Sequence, residues 1–376
     1  MAEVLGPMSI ALRALPTGVD GVKLAQWRLR EGVTVQQFIA RTAAALGGIN
    51  QEFVQKWGWL FSITEMDHFE YPDGGTVTEL PEITDMDDPD MMHGTTIGHQ
   101  IDLRPYGGAI GGSRRYFRDA RQPQIESTLR VIVNRAKWRF ERKLFTRLFT
   151  NTENAIGASG YDVPFVRGSG GNVDFVPAAY GGQAFDTSHD HFLGIDSDTK
   201  QRDELLNEMA ETLEEHGHTA PFTALVSRAD VAAYAVLTGF VKFTADVVTV
   251  IDRGAESSGN QLFARGTPMV TDGAFGYFQS DYGLIELRAY NRVPANYGAM
   301  VKSYGQLDQR NSIAVRVHPD EGFGLAIMAE KTGDDKYPLK KLNIEFEFGV
   351  SVGEDRTNGA AAFLDATGNW TNPSIG

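Results

Sequence analysis

Residues 113–150, SRRYFRDARQPQIESTLRVIVNRAKWRFERKLFTRLFT, decide how this chain is read. Ile125, Leu129, Ile132, Ala136, Phe140, Leu144 and Leu148 recur at steps of three or four, which puts them on one face of a helix. Pro123 falls where such a helix would begin, because its missing N–H has no helical partner to lose there. The spacing predicts a basic amphipathic helix from Gln124 to Thr150, about 40 Å long at 1.5 Å per residue. It lacks the sustained heptads of a coiled coil, so it reads as a strut inside a domain.

Directly before this strut lies IDLRPYGGAIGG, residues 101–112, a Gly-rich strand segment. Its glycines lack the Lys-Ser/Thr pair that a phosphate-binding loop uses, and they read as strand kinks or close backbone contacts. From Phe61 to Gly112 the chain makes a long polar excursion. The runs DHFEY and TVTEL flank the turn signal Pro72-Asp73-Gly74-Gly75, and a return strand follows around His99 to Arg104. Such a hairpin has no apolar face of its own and must lie on something else.

Upstream, Thr34 opens a capping-box spacing with Gln37, and the pattern predicts a helix over Val35–Leu46 closed by Gly47-Gly48. Downstream, residues 151–194 are rich in Gly, Ser and Asn. A second helix is expected from Asp198 to His216, with Leu205, Met209 and Leu213 on one face and Gly217 just past its end. FTALVS reads as a buried strand, RADVAAYAVLTGF as a short helix, and TPMVTD, GLIELRAY, NSIAVRVH and LNIEFEFGVSV as strands. Segregated helices and antiparallel-looking strands make the fold class α+β.

The bulk numbers narrow the function. The chain has 376 residues, 42% apolar and 22% charged, the profile of an ordered protein with a sizeable core. It contains no cysteine, which excludes disulfides, zinc–thiolate sites and thiol nucleophiles. The first eighteen residues lack a signal-peptide core, and no run is apolar enough to span a bilayer. A net charge of −14 argues against a protein whose task is to clamp nucleic acid, though it suits a container that must not stick to its contents.

Charge is unevenly distributed. Between Ser113 and Arg147 eleven basic residues, including Arg114, Arg115, Arg118, Arg139 and Arg142, face three acids. Glu79, Glu82, Asp85, Asp87, Asp88 and Asp90 form a tract of six acids with no base. Two solvated faces would explain this. So would an acidic loop of one copy laid over the basic helix of the next, where each pair adds about 0–1 kcal/mol but repetition sets register.

Candidate chemistry is sparse. His189-Asp190-His191 is the best metal candidate, since positions i and i+2 share a strand face and Asp186 could add a carboxylate. A polar loop explains the motif more simply, and no metal or cofactor is assigned. Histidines in Glu214-Glu215-His216-Gly217-His218 suit the negative end of a helix dipole. No fingerprint of a hydrolase, nucleotide-binding or zinc-protease motif occurs, so no catalytic residue is assigned.

The order of elements resembles the HK97-type major capsid proteins of tailed bacteriophages and, more distantly, the encapsulin shells. Three passages carry the resemblance: IDLRPYGGAIGG running into the long helix, EMAETLEEHGHTAPFTALVSRADVAAYAVLTGF, and GNQLFARGTPMVTDGAFGYFQSDYGLIELRAYN. It implies an HK97-like fold with an N-terminal arm (1–60) and an extended loop (61–112). A peripheral domain with the spine helix (113–185) and an axial domain (186–317) would follow. Residues 318–376 would return to the peripheral domain and its C-terminal strand. It also implies a major capsid protein that assembles into hexamers and pentamers around phage double-stranded DNA, without sequence-specific binding. The expected location is the virion, with assembly in the host cytoplasm, no membrane, and scaffold, portal and decoration proteins as partners. An encapsulin-like nanocompartment, or a soluble metal-dependent enzyme using His189 and His191, are the alternatives. No lysine occurs between Lys56 and Lys137, so lysine cross-linking through the loop is not expected.

Overall fold

The structure, a computed structural model, describes residues 12–13, 32–72, 96–112, 114–119, 121–152, 162–168, 175–181, 183–243, 249–252, 261–264, 273–328 and 339–375. The chain opens with β1 (Leu12–Arg13), α1 (Val35–Trp57), β2 (Phe61–Thr64), β3 (His68–Pro72), β4 (Thr96–Gln100) and β5 (Arg104–Gly112). Then come α2 (Arg114–Asp119), α3 (Gln122–Phe149), β6 (Phe192–Asp196), α4 (Arg202–Glu214), β7 (Phe222–Ser227) and α5 (Val231–Tyr234). Strands β8 (Phe240–Lys242), β9 (Thr249–Asp252), β10 (Gln261–Ala264), β11 (Ala274–Ser280) and β12 (Gly283–Tyr290) follow. The last are β13 (Tyr297–Val301), β14 (Ile313–Arg316), β15 (Ala326–Met328), β16 (Leu339–Val352) and β17 (Ala360–Asp365).

The expected strut is α3. Pro123 stands in its first turn, and the Gln124 side chain accepts a hydrogen bond from the Arg121 amide at 3.0 Å. The short α2 ahead of it is a separate helix, because Pro123 can neither donate to nor fit beside the carbonyl one turn back. Ile125, Phe140, Leu144 and Leu148 are buried, while Leu129, Ile132 and Ala136 pack part-buried against the same core. Val133, Phe145 and Phe149 widen the buried face beyond the predicted stripe.

Helix α1 has the predicted Thr34–Gln37 capping box, with reciprocal hydrogen bonds of 3.1 Å. It does not stop at Gly47-Gly48 but continues to Trp57. Two interior glycines cost a helix about 1 kcal/mol each. Burial of Phe53 and Trp57 offsets that cost, and Asn50 bonds the Leu325 backbone both ways, at 3.1 and 2.8 Å.

Two sheets organise the rest. One runs β1-β15-β16-β14-β2, with β5 also paired to the long β16. Ile344, Phe346, Phe348 and Val350 alternate inward from β16, as its pattern predicted. Phe140 of α3 sits among Phe53, Phe61, Phe323, Phe346 and Phe348, at ring-centroid distances of 5.3–5.7 Å. A side chain at Gly108 of β5 would come within 3.0 Å of Ile132, so this glycine lets α3 lie directly on the strand. The second sheet runs β6-β17-β13-β7-β12-β11-β8, with α4 packed on it through Leu205, Leu206, Met209 and Leu213. Helix α4 is shorter than expected because Asp196 and Glu204 hold the amides of Asp198 and Gln201 in a turn before it. Gly217 closes it at φ +85°.

Sheet membership differs from the sequence-based boundaries at two places. Ile313–Arg316, expected within 186–317, pairs with β2 and β16 of the first sheet. Ala360–Asp365, expected to return with 318–376 to the peripheral domain, pairs with β6 and β13 of the second. Alanine has little strand propensity, so Ala360-Ala361-Ala362 gave no strand signal. Those small side chains let α4 approach the sheet. The expected strand TPMVTD and the run TVTEL lie outside the described residues.

Candidate functional site: a basic spine, a loop seat and three histidines

The cations of α3 divide by what they touch. Arg147 is buried and donates to the carbonyls of Thr150 and Thr152, closing the C-terminal end of the helix. Glu141 accepts from Lys56 and Arg292, each at 3.0 Å, and Lys137 pairs with Glu52 at 2.6 Å. These four basic residues hold the protein together. Arg139, over the Tyr106 ring at 4.7 Å, and Arg142, over Trp138 at 5.3 Å, line a cleft of about 300 Å³ with Lys143, Thr146, Arg147, Thr152 and Asp162. Burial holds the Lys143 ammonium below its usual range; Arg139 and Arg104 push the same way, and Asp162 opposes them. The cleft is therefore an excess of cations with one carboxylate. Arg115, itself exposed, lies 3.8 Å from Asp119 on α2, whose sequence also includes Arg114 and Arg118. Glu79, Glu82, Asp85, Asp87, Asp88 and Asp90 lie outside the described residues.

The hairpin β3–β4 is anchored at its base. His99, only 3% exposed, stands with Nε2 3.2 Å from the Val352 carbonyl and Nδ1 3.3 Å from the Tyr71 hydroxyl. Nε2–H therefore donates to Val352, and Nδ1 accepts from Tyr71. Arg356, 2% exposed, donates to the Tyr71 hydroxyl at 3.1 Å, to Pro164 O at 3.0 Å and to Phe165 O at 3.4 Å. Burial, and then the Arg356 charge, pull the His99 pKa down to about 3, so the ring is neutral. Tyr71, Val166 and Phe175 form a small apolar cluster beside it. The sequence reading saw a hairpin that had to lie on something. It had no means of seeing that Arg356 and Val352, some 250 residues later, form the seat.

The structure places His189 and His191 in the loop entering β6, not on a strand face, and adds His216, which follows α4. Their Nε2 atoms lie 3.2 Å (His189–His191), 2.8 Å (His189–His216) and 3.0 Å (His191–His216) apart. Asp186, the expected carboxylate partner, instead accepts from the amide and hydroxyl of Ser188. His216 does not serve the helix dipole. Burial lowers its pKa to about 3, which leaves it neutral. His218 bonds Tyr304 and Thr357 at 3.1 and 3.0 Å. Two histidines two residues apart signalled this cluster, but its third member needed the fold.

The fold places the chain among known structures. Over 93% of both chains it superposes on a structure from Mycobacterium phage Patience, with a TM-score of 0.61 and 20% identity. Weaker likenesses are to the capsid of a native GTA particle (83% of this chain and 91% of that one, 13% identity, TM-score 0.45) and to a holo-SrpI encapsulin complex from Synechococcus elongatus (83% and 88%, 12% identity, TM-score 0.39). No family model and no curated protein matches the sequence. The architecture is the α+β, HK97-like one that the order of elements implied.

Proposed function

We propose that this chain is a major capsid protein, a structural subunit that assembles with its own copies into hexamers and pentamers and closes an icosahedral shell around phage double-stranded DNA. The observation that carries this reading is the fold likeness spanning 93% of both chains. The loop and spine features support it. A hairpin anchored by a buried His–Tyr–Arg chain has a fixed direction of exit, which a loop reaching a neighbour requires. The acidic tract Glu79–Asp90 of one subunit and the cleft of Arg139 and Arg142 on the next have opposite charge. Each such pair is worth about 0–1 kcal/mol, so the latch sets register and association rate more than strength. Val241 on the edge strand β8 and Val236 just before it, 63% and 82% exposed, are apolar surface of the kind that association covers. Scaffold, portal and decoration proteins would complete the virion.

Electron microscopy of negatively stained, untagged protein, expressed alone and with the neighbouring genes of its source, tests the assignment. Capsomers or closed shells are expected. A monodisperse monomer under both conditions would overturn it.

A further inference from the structure

We propose that His189, His191 and His216 form a binding site for one divalent transition-metal ion of the zinc type, a staple in the seven-stranded sheet. The reasoning starts from the tautomer of His191. Its Nδ1 lies 2.7 Å from the Gly359 carbonyl, which accepts only, so Nδ1 carries the proton and Nε2 presents a lone pair. The ring is fully buried, and the backbone that carries it is held on both sides. Its backbone N–H donates to Val166 O at 3.0 Å, and its carbonyl accepts from Ala361 N at 2.8 Å. Position 359 admits only glycine, because a side chain there would come 2.2 Å from the Phe165 ring.

That lone pair points at two further imidazole nitrogens, which also lie against each other at 2.8 Å. Hydrogen bonds do not account for such a triangle. Each nitrogen carries at most one proton, and His191 Nε2 has none to give. At most two of the contacts could be hydrogen bonds, and only by sharing one proton or one lone pair, and the third contact would remain repulsive. A cation satisfies all three at once. Bonds of about 2.0–2.1 Å in tetrahedral geometry set ligand nitrogens about 3.3 Å apart, so the observed triangle of 2.8, 3.0 and 3.2 Å need open only slightly to take the ion. A carbonyl behind a ligating imidazole is the usual orienting partner in zinc sites. Phe185 covers the rings of His189 and His216, with centroids at 4.5 and 4.3 Å, and shields the position from water on that side.

The donor set selects the metal. Three neutral imidazoles, no thiolate in the chain and no carboxylate within the cluster suit zinc, and also nickel or copper, over magnesium or calcium. Three protein ligands leave a fourth position for water. The ion would join the loop before β6 to the end of α4 and, through Gly359, to the start of β17. These are three segments of one sheet and its covering helix.

The test uses the full untagged chain, stripped with EDTA, dialysed against zinc sulfate and assayed by elemental mass spectrometry. About one equivalent of zinc per chain is expected, with a higher melting temperature in the loaded form. Cobalt(II) should give the intense visible bands of tetrahedral coordination. His189→Asn and His216→Asn should lose the metal and the thermal shift, and His68→Asn, an exposed histidine elsewhere, should keep both. His189 is only partly buried and outside the apolar core clusters, so its replacement leaves no void in them, and circular dichroism verifies that the variant folds. The proposal fails if the stripped wild-type chain takes up no zinc, cobalt or nickel. It also fails if a folded His189→Asn chain takes up as much as wild type.

Discussion

Acid should release the base of the hairpin loop, and the seat of His99 fixes by how much. The unfolded chain binds a proton at this imidazole near pH 6.5, while burial beside Arg356 delays protonation in the folded chain to about pH 3. Between those values the unfolded or undocked state holds one more proton than the docked state. Stability therefore falls as pH falls, by about 1.4 kcal/mol per unit. From pH 7.5 to 5.0 the loss is about 2 kcal/mol, roughly a thirtyfold rise in the undocked population. Protonation at Nδ1 would also turn the Tyr71 contact from acceptor to donor, against a hydroxyl that already receives Arg356. Hydrogen exchange of the Ile97–Gln100 amides at the two pH values reads the effect. His99→Gln is the control, because its amide can donate to Val352 and accept from Tyr71 without titrating. It should lack about 2 kcal/mol of the wild-type pH dependence at this segment. Equal acid sensitivity of these amides in wild type and His99→Gln would refute the reasoning.

Other outcomes follow from the core and the charged cleft. Phe140→Ala removes the ring at the centre of five other aromatic rings and should cost about 3–5 kcal/mol, measured by urea unfolding. Gly108→Val should push α3 off β5 and cost about 1–3 kcal/mol, because Ile132 lies only 3.0 Å from the position of the added Cβ. Reversing Arg139 and Arg142 to Glu should slow assembly and reduce its salt dependence while leaving the monomer's unfolding free energy within about 1 kcal/mol of wild type. Combining that change with Asp87→Lys and Asp88→Lys should restore assembly. Failure of the double reversal to restore what the single reversal loses would remove the latch.

What the sequence revealed and what it hid divide along a physical line. Helical spacing in α3, the capping box at Thr34 and the alternation in β16 are local signals, and they placed the spine and one sheet. The extension of α1 past Gly47-Gly48 was hidden because tertiary burial of Phe53 and Trp57 overrides a local penalty. The alanine strand β17 was hidden because its pairing is set by what packs on it. At the sites the rule is the same. Eleven cations signalled a basic spine, yet only the structure separates Lys137, paired with Glu52, and Arg147, tied to the carbonyls of Thr150 and Thr152, from Arg139 and Arg142, which stack on aromatic rings at the cleft. His216 looked like a helix cap until three segments met.

One short segment joins these features. The amide of Val166 donates to Arg356 O at 3.3 Å, its carbonyl accepts from His191 N at 3.0 Å, and Asp162 N donates to Gln100 O at 3.1 Å. Asp102 N donates to the Asp162 carboxylate at 3.2 Å. Residues 162–168 thus bond to the hairpin base on one side and the histidine cluster on the other. Phe165 presses on the Gly359 whose carbonyl orients His191. The direction in which the hairpin leaves the body is therefore set by the same backbone that positions the three histidines. The segment carries no helix or strand of its own, and its order comes from the partners on either side.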